Sequence, residues 1–299
     1  MKEIISFIKK NNIGTLLKDV SLKKYTSYKI GGIAKIMVYP KNVDKLVLLL
    51  NRLNKDNINY KVLGKGSNLI FSDEDYNGVI IKLDLFDRIS INDTVIKAGA
   101  GVSLVKLAYL AYTKGLTGLE FASGIPGTIG GAVFMNAGAY NSDMGYFVKD
   151  VKVLTPSYEI KTLTNKEMDF HYRSSFLQKN RDYVCLEATL LLRHGKKETI
   201  LEVIRDRKER RIQSQPLEYP SAGSVFRNPE GMYAGKLIED IGYKGKRKGD
   251  AMVSLKHANF IVNVGNASGD DIKALILEIK EKVKEEYNVD LKVEQEFVE

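Results

Sequence analysis

Of the 299 residues, 46 are Lys or Arg and 37 are Asp or Glu, leaving a net charge of +9, and 44% are hydrophobic. That length supports two or three modest domains with real cores, and that balance belongs to a folded globular chain. Apolar runs fall short of the ~20 residues that span a membrane, and the basic residues are scattered or interleaved with acids, so neither a membrane nor nucleic acid is the expected partner; an anionic small molecule suits the charge.

Residues 1–10 alternate charged and apolar positions, which predicts a short amphipathic helix. They lack the continuous apolar segment of a secretory signal, so cytoplasmic residence is expected. An apolar run at 34–39 predicts a strand stopped by Pro40. Asn42 is placed to cap a helix over 43–56, whose Leu46, Leu49, Leu50 and Leu53 share one face. Residues 60–63 read as a strand that runs straight into Gly64-Lys65-Gly66-Ser67-Asn68. A strand followed by a glycine turn is where a phosphate loop belongs. The turn lacks the third glycine of a dinucleotide fingerprint and the Gly-Lys-Ser/Thr of a P-loop, so neither of those folds is supported.

Short strands are expected at 79–83 and 95–98, then a helix over 104–114 ended by Gly115. The segment 124–140 follows, with five of the 25 glycines among small and apolar residues. Backbone this rich in glycine turns tightly or lies directly against something, either its own chain or the phosphates and ring of a cofactor. Beyond it come a strand pair at 147–154 and 160–163, and a short helix opened by a capping box of Thr164 and Glu167. A strand is expected at 184–192 and a domain boundary at the polar break that follows. Helices at 198–213 and 233–241 flank a Pro-bounded loop, and a strand is expected at 260–264. Ser268 caps a helix to Tyr287, and a strand over 290–298 ends the chain. The fold class is α+β.

Chemistry concentrates in four places. Two are the glycine turns. The third is His171-Tyr172-Arg173-Ser174-Ser175, where the arginine is either a surface ion-pair partner or a group that holds developing negative charge. The fourth is Ser221-Ala222-Gly223-Ser224, in which small residues flank Ser224. That loop is either a simple turn or the seat of a proton-donating hydroxyl. It is not a Gly-x-Ser-x-Gly elbow, and no histidine stands in a base relation to it. Glu294 and Glu296, two apart on the expected last strand, point to one face. The single cysteine, Cys185, allows no disulfide, and the three histidines show no metal-ligand spacing, so no metal is expected.

Taken in order, these segments resemble one family. The motifs are 62–69, 124–131 with Asn136-Ala137-Gly138-Ala139-Tyr140, 172–175, 220–229, Ala234-Gly235-Lys236-Leu237-Ile238-Glu239, and His257-Ala258-Asn259-Phe260-Ile261-Val262-Asn263. In this order they are similar to the bacterial UDP-N-acetylenolpyruvoylglucosamine reductases over residues 20–298. The resemblance implies an FAD-binding domain of the vanillyl-alcohol-oxidase type, made of subdomains 1–82 and 83–195, and a substrate domain over 196–299.

The resemblance also implies a reaction of peptidoglycan synthesis, and so of cell-wall growth, shape and division. NADPH reduces the flavin, and the enolpyruvyl group of the UDP-sugar is then reduced. Ser224 maps onto the family's proton donor, Arg173 onto its arginine and Glu294 onto its glutamate. The family's usual Leu-Glu-Pro-Glu-Val ending is here Leu291-Lys292-Val293-Glu294-Gln295, which makes Glu296 the fallback. Cofactor contacts are expected from Gly64, Lys65, Gly66, Ser67, Asn68, Gly124, Ile125, Pro126, Gly127, Gly130 and Gly131. Substrate contacts are expected from Tyr172, Asn228 and His257. The chain looks like the family's shorter subtype and is expected to be a monomer. The alternative is another FAD-linked oxidoreductase of the same superfamily, acting on a small alcohol or hydroxy acid. The glycine motifs permit it, but it leaves the Ser224 loop and Arg173 unexplained.

Overall fold

The computed structural model describes residues 1–298. Contacts divide them into two compact units. One holds Met1–Lys18, Ile36–Lys65 and Gly78–Glu209, and the other holds Asp19–Lys35, Gly66–Asn77 and Arg210–Glu299. Neither unit is one continuous stretch of chain.

Two larger sheets are built mainly from the first unit. Gly14–Ser21, Ile33–Pro40, Tyr76–Ile81 and Tyr60–Val62 lie side by side in that order, the last pair parallel with Tyr60 opposite Val79. The second sheet is antiparallel throughout, in the order Ile160–Thr164, Val148–Leu154, Val184–Leu191, Val95–Gly99, Ile89–Asn92. Its central strand, Val184–Leu191, buries six of its eight residues, with Glu187 paired to Lys152. Helix Val43–Lys55 buries the predicted leucine face, and Asn42 caps it by accepting the Lys45 N–H at 3.0 Å. Helix Lys2–Lys10 buries Ile4 and Ile8. These side chains and those of the second sheet form one apolar core.

The second unit has its own core. Strands Arg247–Lys248, Ala251–Val253 and Ile261–Asn263 form an antiparallel sheet. Helix Gly269–Tyr287 covers it with Ile272, Leu275, Ile276, Ile279 and Val283, all buried. Its N-terminus is closed by a reciprocal box between Ser268 and Asp271, with both bonds at 2.9 Å. Glu296–Val298 pairs in parallel with Leu69–Phe71.

Two expectations need correction. Thr164 and Glu167 make the capping-box bonds, but no helix follows them; residues 165–169 form a turn. The chain reverses at Asp169, whose φ is +46°, and so delivers Met168 fully buried to the core. The last strand is also shorter than 290–298. Val293 makes an isolated bridge to Phe226, the chain bends at Gln295, and regular pairing starts at Glu296. Glu294 and Glu296 therefore do not lie on one regular strand, because the bend falls between them.

Candidate active site

Within the first unit, Gly64 lies against the glycine-rich stretch. A Cβ added to Gly64 would lie 2.8 Å from Thr128 Oγ1. Gly66 needs its glycine for a different reason. Its φ is +61°, and a Cβ there would overlap the Tyr25 carbonyl oxygen at 2.2 Å. Ser27 donates its N–H to the Gly66 carbonyl at 3.1 Å. Beneath the turn, the buried Lys82 ammonium donates to the Gly64 carbonyl and lies 3.3 Å from Asp84. Burial lowers its pKa, and Asp84 opposes that shift.

The stretch 124–140 contains a seven-residue helix, Ile129–Met135. Its first N–H groups are already taken: Ile129 donates to Val102, Gly130 to Ala100 and Gly131 to Thr128 Oγ1. The free donors precede the helix. Among the described residues, the N–H groups of Gly127 and Thr128 donate to no backbone carbonyl, and neither do those of Lys65 and Gly66 in the other turn. Gly127 is the informative glycine. Its φ is not positive, and a Cβ there would meet nothing within 4 Å. Neither backbone conformation nor neighbouring protein requires a glycine at this position. Free N–H donors beside an open glycine are what an anionic dinucleotide with a flat ring needs, so the residues fit FAD.

The far end of the stretch holds Arg173. Residues 171–174 form a tight turn in which His171 and Ser174 exchange N–H to carbonyl bonds, both at 3.0 Å. Arg173 adopts a left-handed φ of +53°, a conformation that costs on the order of 1–3 kcal/mol for a non-glycine residue. Its guanidinium donates to the Gly138 carbonyl at 2.8 Å and lies over the ring of the exposed Tyr172. Gly138 itself sits in a small hairpin whose turn residues, Tyr140 and Asn141, are both left-handed. The Tyr140 hydroxyl donates to the Arg207 carbonyl at 2.8 Å.

In the second unit, Ser224 is half-buried on a loop that its neighbours pin closely. Gly223 turns the chain with φ +78°. The buried Gln295 donates from Nε2 to the carbonyls of Ala222, Gly223 and Ser224 at 3.2, 3.1 and 3.4 Å. Its Oε1 accepts the hydroxyl of the fully buried Tyr28 at 3.0 Å, and burial drives that phenol's pKa far up. On the other side, Asn259 clamps Phe226 with both ends of its carboxamide, at 2.9 and 2.8 Å. Glu294 donates its N–H to the Val225 carbonyl at 2.8 Å, which places it one strand away from Ser224. Asn68 accepts the Glu296 N–H on its carbonyl and donates its amide to the Glu294 carbonyl, so it braces the bend. Arg227 Nε is buried and without a partner among the described residues. A buried donor left open three residues after Ser224 suits an anionic ligand.

Asn228 accepts the Ala234 N–H on Oδ1 at 3.1 Å and so opens the helix Ala234–Asp240. Burial lowers the pKa of His257, and its Nδ1 accepts the Asn259 N–H at 3.2 Å. Its ring lies 4.9 Å from that of Phe260, and its edge faces Gly235. Of the residues expected at the site, the second unit thus brings Ser224, Glu294, Asn228 and His257 onto connected loops. Arg173 and Tyr172 belong to the first unit, beside the glycine-rich stretch. Sequence reading passed over Gln295, Asn259 and Asn136. The signal available for each was a carboxamide inside an apolar motif, which folding tolerates only when both ends are bonded.

Comparison with known proteins shows the family. Residues 34–164 match the FAD binding domain, and residues 215–298 match the C-terminal domain of UDP-N-acetylenolpyruvoylglucosamine reductase. The UDP-N-acetylenolpyruvoylglucosamine reductase of Anoxybacillus flavithermus is 45% identical over 96% of this chain and 95% of its own. The chain belongs to the UDP-N-acetylenolpyruvoylglucosamine reductase family. The Bacillus subtilis member is 42% identical across 100% of this chain and 99% of its own. The crystal structure of the Thermus caldophilus reductase superposes with a TM-score of 0.80 at 34% identity, covering 95% of this chain and 98% of that one. As a member of this reductase family the chain is an FAD-dependent oxidoreductase of α+β fold, with the FAD-binding domain preceding the reductase C-terminal domain. No helix among the described residues is long and apolar enough to cross a membrane.

Proposed function

We propose that this chain reduces the enolpyruvyl group of UDP-N-acetylenolpyruvoylglucosamine to give UDP-N-acetylmuramate for peptidoglycan, with NADPH as the reductant. The observation that carries the reading is the 45% identity to a reductase of that name along nearly the whole of both chains. Bound FAD supplies the hydride chemistry between NADPH and the substrate double bond. In the first unit Gly127, Thr128 and Lys65 offer backbone N–H groups to its phosphates, and Gly64, Gly124, Ile125, Pro126, Gly130 and Gly131 shape that cradle. Gly66, Ser67 and Asn68 of the second unit are proposed as further cofactor contacts.

The chain's own residues do the rest. Addition of hydride to the β-carbon builds negative charge on the substrate carboxylate as an aci-carboxylate. Arg173, fixed in its left-handed turn, and Glu294, if protonated, stabilise that charge. Ser224 gives its hydroxyl proton to the α-carbon and completes the addition across the double bond. Glu294 is preferred over Glu296 because its backbone bonds Val225, next to Ser224, whereas Glu296 lies past the bend. Tyr172, Asn228 and His257 contact the substrate. The two larger sheets, over residues 14–81 and 89–191, support a division of the flavin-binding part at about residue 82; the substrate domain is proposed to begin near 196. A monomeric cytoplasmic enzyme active in cell growth and division completes the proposal.

The test is spectroscopic. The purified protein should be yellow, NADPH should bleach it under anaerobic conditions, and the UDP-enolpyruvyl sugar should restore the colour. A protein that takes up no FAD, or reduced protein that the UDP-sugar leaves bleached, overturns the reading.

A further inference from the structure

Asn136 closes the helix of the glycine-rich stretch in a left-handed conformation, φ +44°, and is 1% exposed. Glycine would satisfy that backbone without strain. What asparagine adds is a carboxamide, and both of its ends are used. Oδ1 accepts the Gly145 N–H at 2.9 Å, and Nδ2 donates to the His171 carbonyl at 2.8 Å. The partners fix this orientation, since an N–H can only donate and a carbonyl can only accept. His171 opens the turn that carries Arg173.

Three alternate residues of the stretch anchor that turn. Phe134 accepts the hydroxyl of the fully buried Ser175 at 2.7 Å, Asn136 holds His171, and Gly138 accepts the Arg173 guanidinium. Gln178 ties down the Arg173 carbonyl at 3.0 Å. A left-handed arginine persists only where its surroundings over-determine it. Phe134 and Gly138 contribute backbone carbonyls, while Asn136 contributes a side chain.

We propose that Asn136 is a positioning residue: it sets where the Arg173 guanidinium stands relative to the cofactor cradle built from the other end of the same stretch. The inference rests on the reading of Arg173 as the group that stabilises substrate carboxylate charge. Helix Ile129–Met135 is then a spacer, with free N–H groups ahead of it and the arginine's anchor behind it. Losing the carboxamide leaves the cradle intact and frees the turn.

Asn136→Gly keeps the left-handed backbone and removes both bonds. Asn136→Asp keeps the acceptor for Gly145 but sets a carboxylate oxygen against the His171 carbonyl. Both variants are expected to retain FAD and to be reduced by NADPH at the normal rate. Reoxidation by the UDP-enolpyruvyl sugar should fall at least tenfold, and amide hydrogen exchange across 171–175 should accelerate. In an Arg173→Ala background the Asn136 substitutions should cost nothing further. If Arg173→Ala leaves reoxidation unchanged, the reading of Arg173 fails. If Arg173→Ala slows reoxidation while both Asn136 variants leave reoxidation or exchange at 171–175 unchanged, or if the double-variant losses multiply, the positioning role is overturned. Loss of FAD or of cooperative unfolding in both variants also overturns it, since the residue would then be part of the scaffold.

Discussion

The loop of Ser224 is held by a carboxamide on each side, Gln295 and Asn259. Ser224→Ala should therefore leave structure and NADPH-driven bleaching intact and slow only the step with the UDP-sugar, by roughly 10²–10⁴-fold if the hydroxyl is the proton donor. Stopped-flow absorbance separates the two half-reactions, and equal loss in both would end that assignment. Gln295→Ala acts differently. It leaves the buried Tyr28 hydroxyl and three carbonyls without their partner, which should lower unfolding stability by about 1–3 kcal/mol in urea titration. His257 gives a pH signature. Burial depresses its folded pKa, so the unfolded chain binds a proton first on acidification. Its contribution to stability is complete above the unfolded value of about 6.5 and is lost as pH falls from there toward the lower folded pKa. The thermal midpoint should drop over that window, and His257→Gln should flatten the drop.

At the scale of elements, the glycines separate into two kinds. Gly66→Ala must adopt a positive φ and push against the Tyr25 carbonyl, so it should destabilise the protein whether or not cofactor is present. Gly127→Ala meets open space, so it should leave the thermal midpoint of the FAD-free protein unchanged while weakening FAD binding measured by fluorescence titration. Equal behaviour of the two variants would contradict the cradle at Gly127. The glycine count alone could not make this division, because both kinds look the same in sequence. Regular elements were legible wherever a periodic apolar face met a cap, as in Val43–Lys55 and Gly269–Tyr287. The Thr164 box misled because capping bonds also close a lone turn when a left-handed residue follows. The final strand misled because alternation along 290–298 conceals the bend at Gln295. Ser224, Arg173 and Glu294 stood out by resemblance, but their supports did not, since Asn136, Asn259 and Gln295 act through backbone atoms that sequence does not display.

At the scale of the whole molecule, bound cofactor should add stability by mass action, about 2.7 kcal/mol at a hundredfold excess over its dissociation constant. Calorimetry with increasing FAD should show the rising midpoint. The division into units makes a second prediction. A fragment of residues 210–299 lacks Tyr28, Ile30 and Ile70, which belong to the same core as Ile272 and Leu275. It should fail to fold by circular dichroism, although it contains the whole segment that matches the reductase C-terminal domain.

The chain passes between its two units at 18/19, 35/36, 65/66, 77/78 and 209/210. On a ribosome, Leu69–Phe71 emerges early, yet the strand that pairs with it, Glu296–Val298, is synthesised last. Through most of translation, Tyr28, Ile30, Ile70 and Phe71 have no finished core to enter. The nascent polypeptide therefore carries exposed apolar stretches until termination, a natural target for a holdase chaperone. For the same reason gene fusion or recombination cannot transplant the C-terminal module alone, because two of its three pieces, Asp19–Lys35 and Gly66–Asn77, are encoded ahead of Gly78.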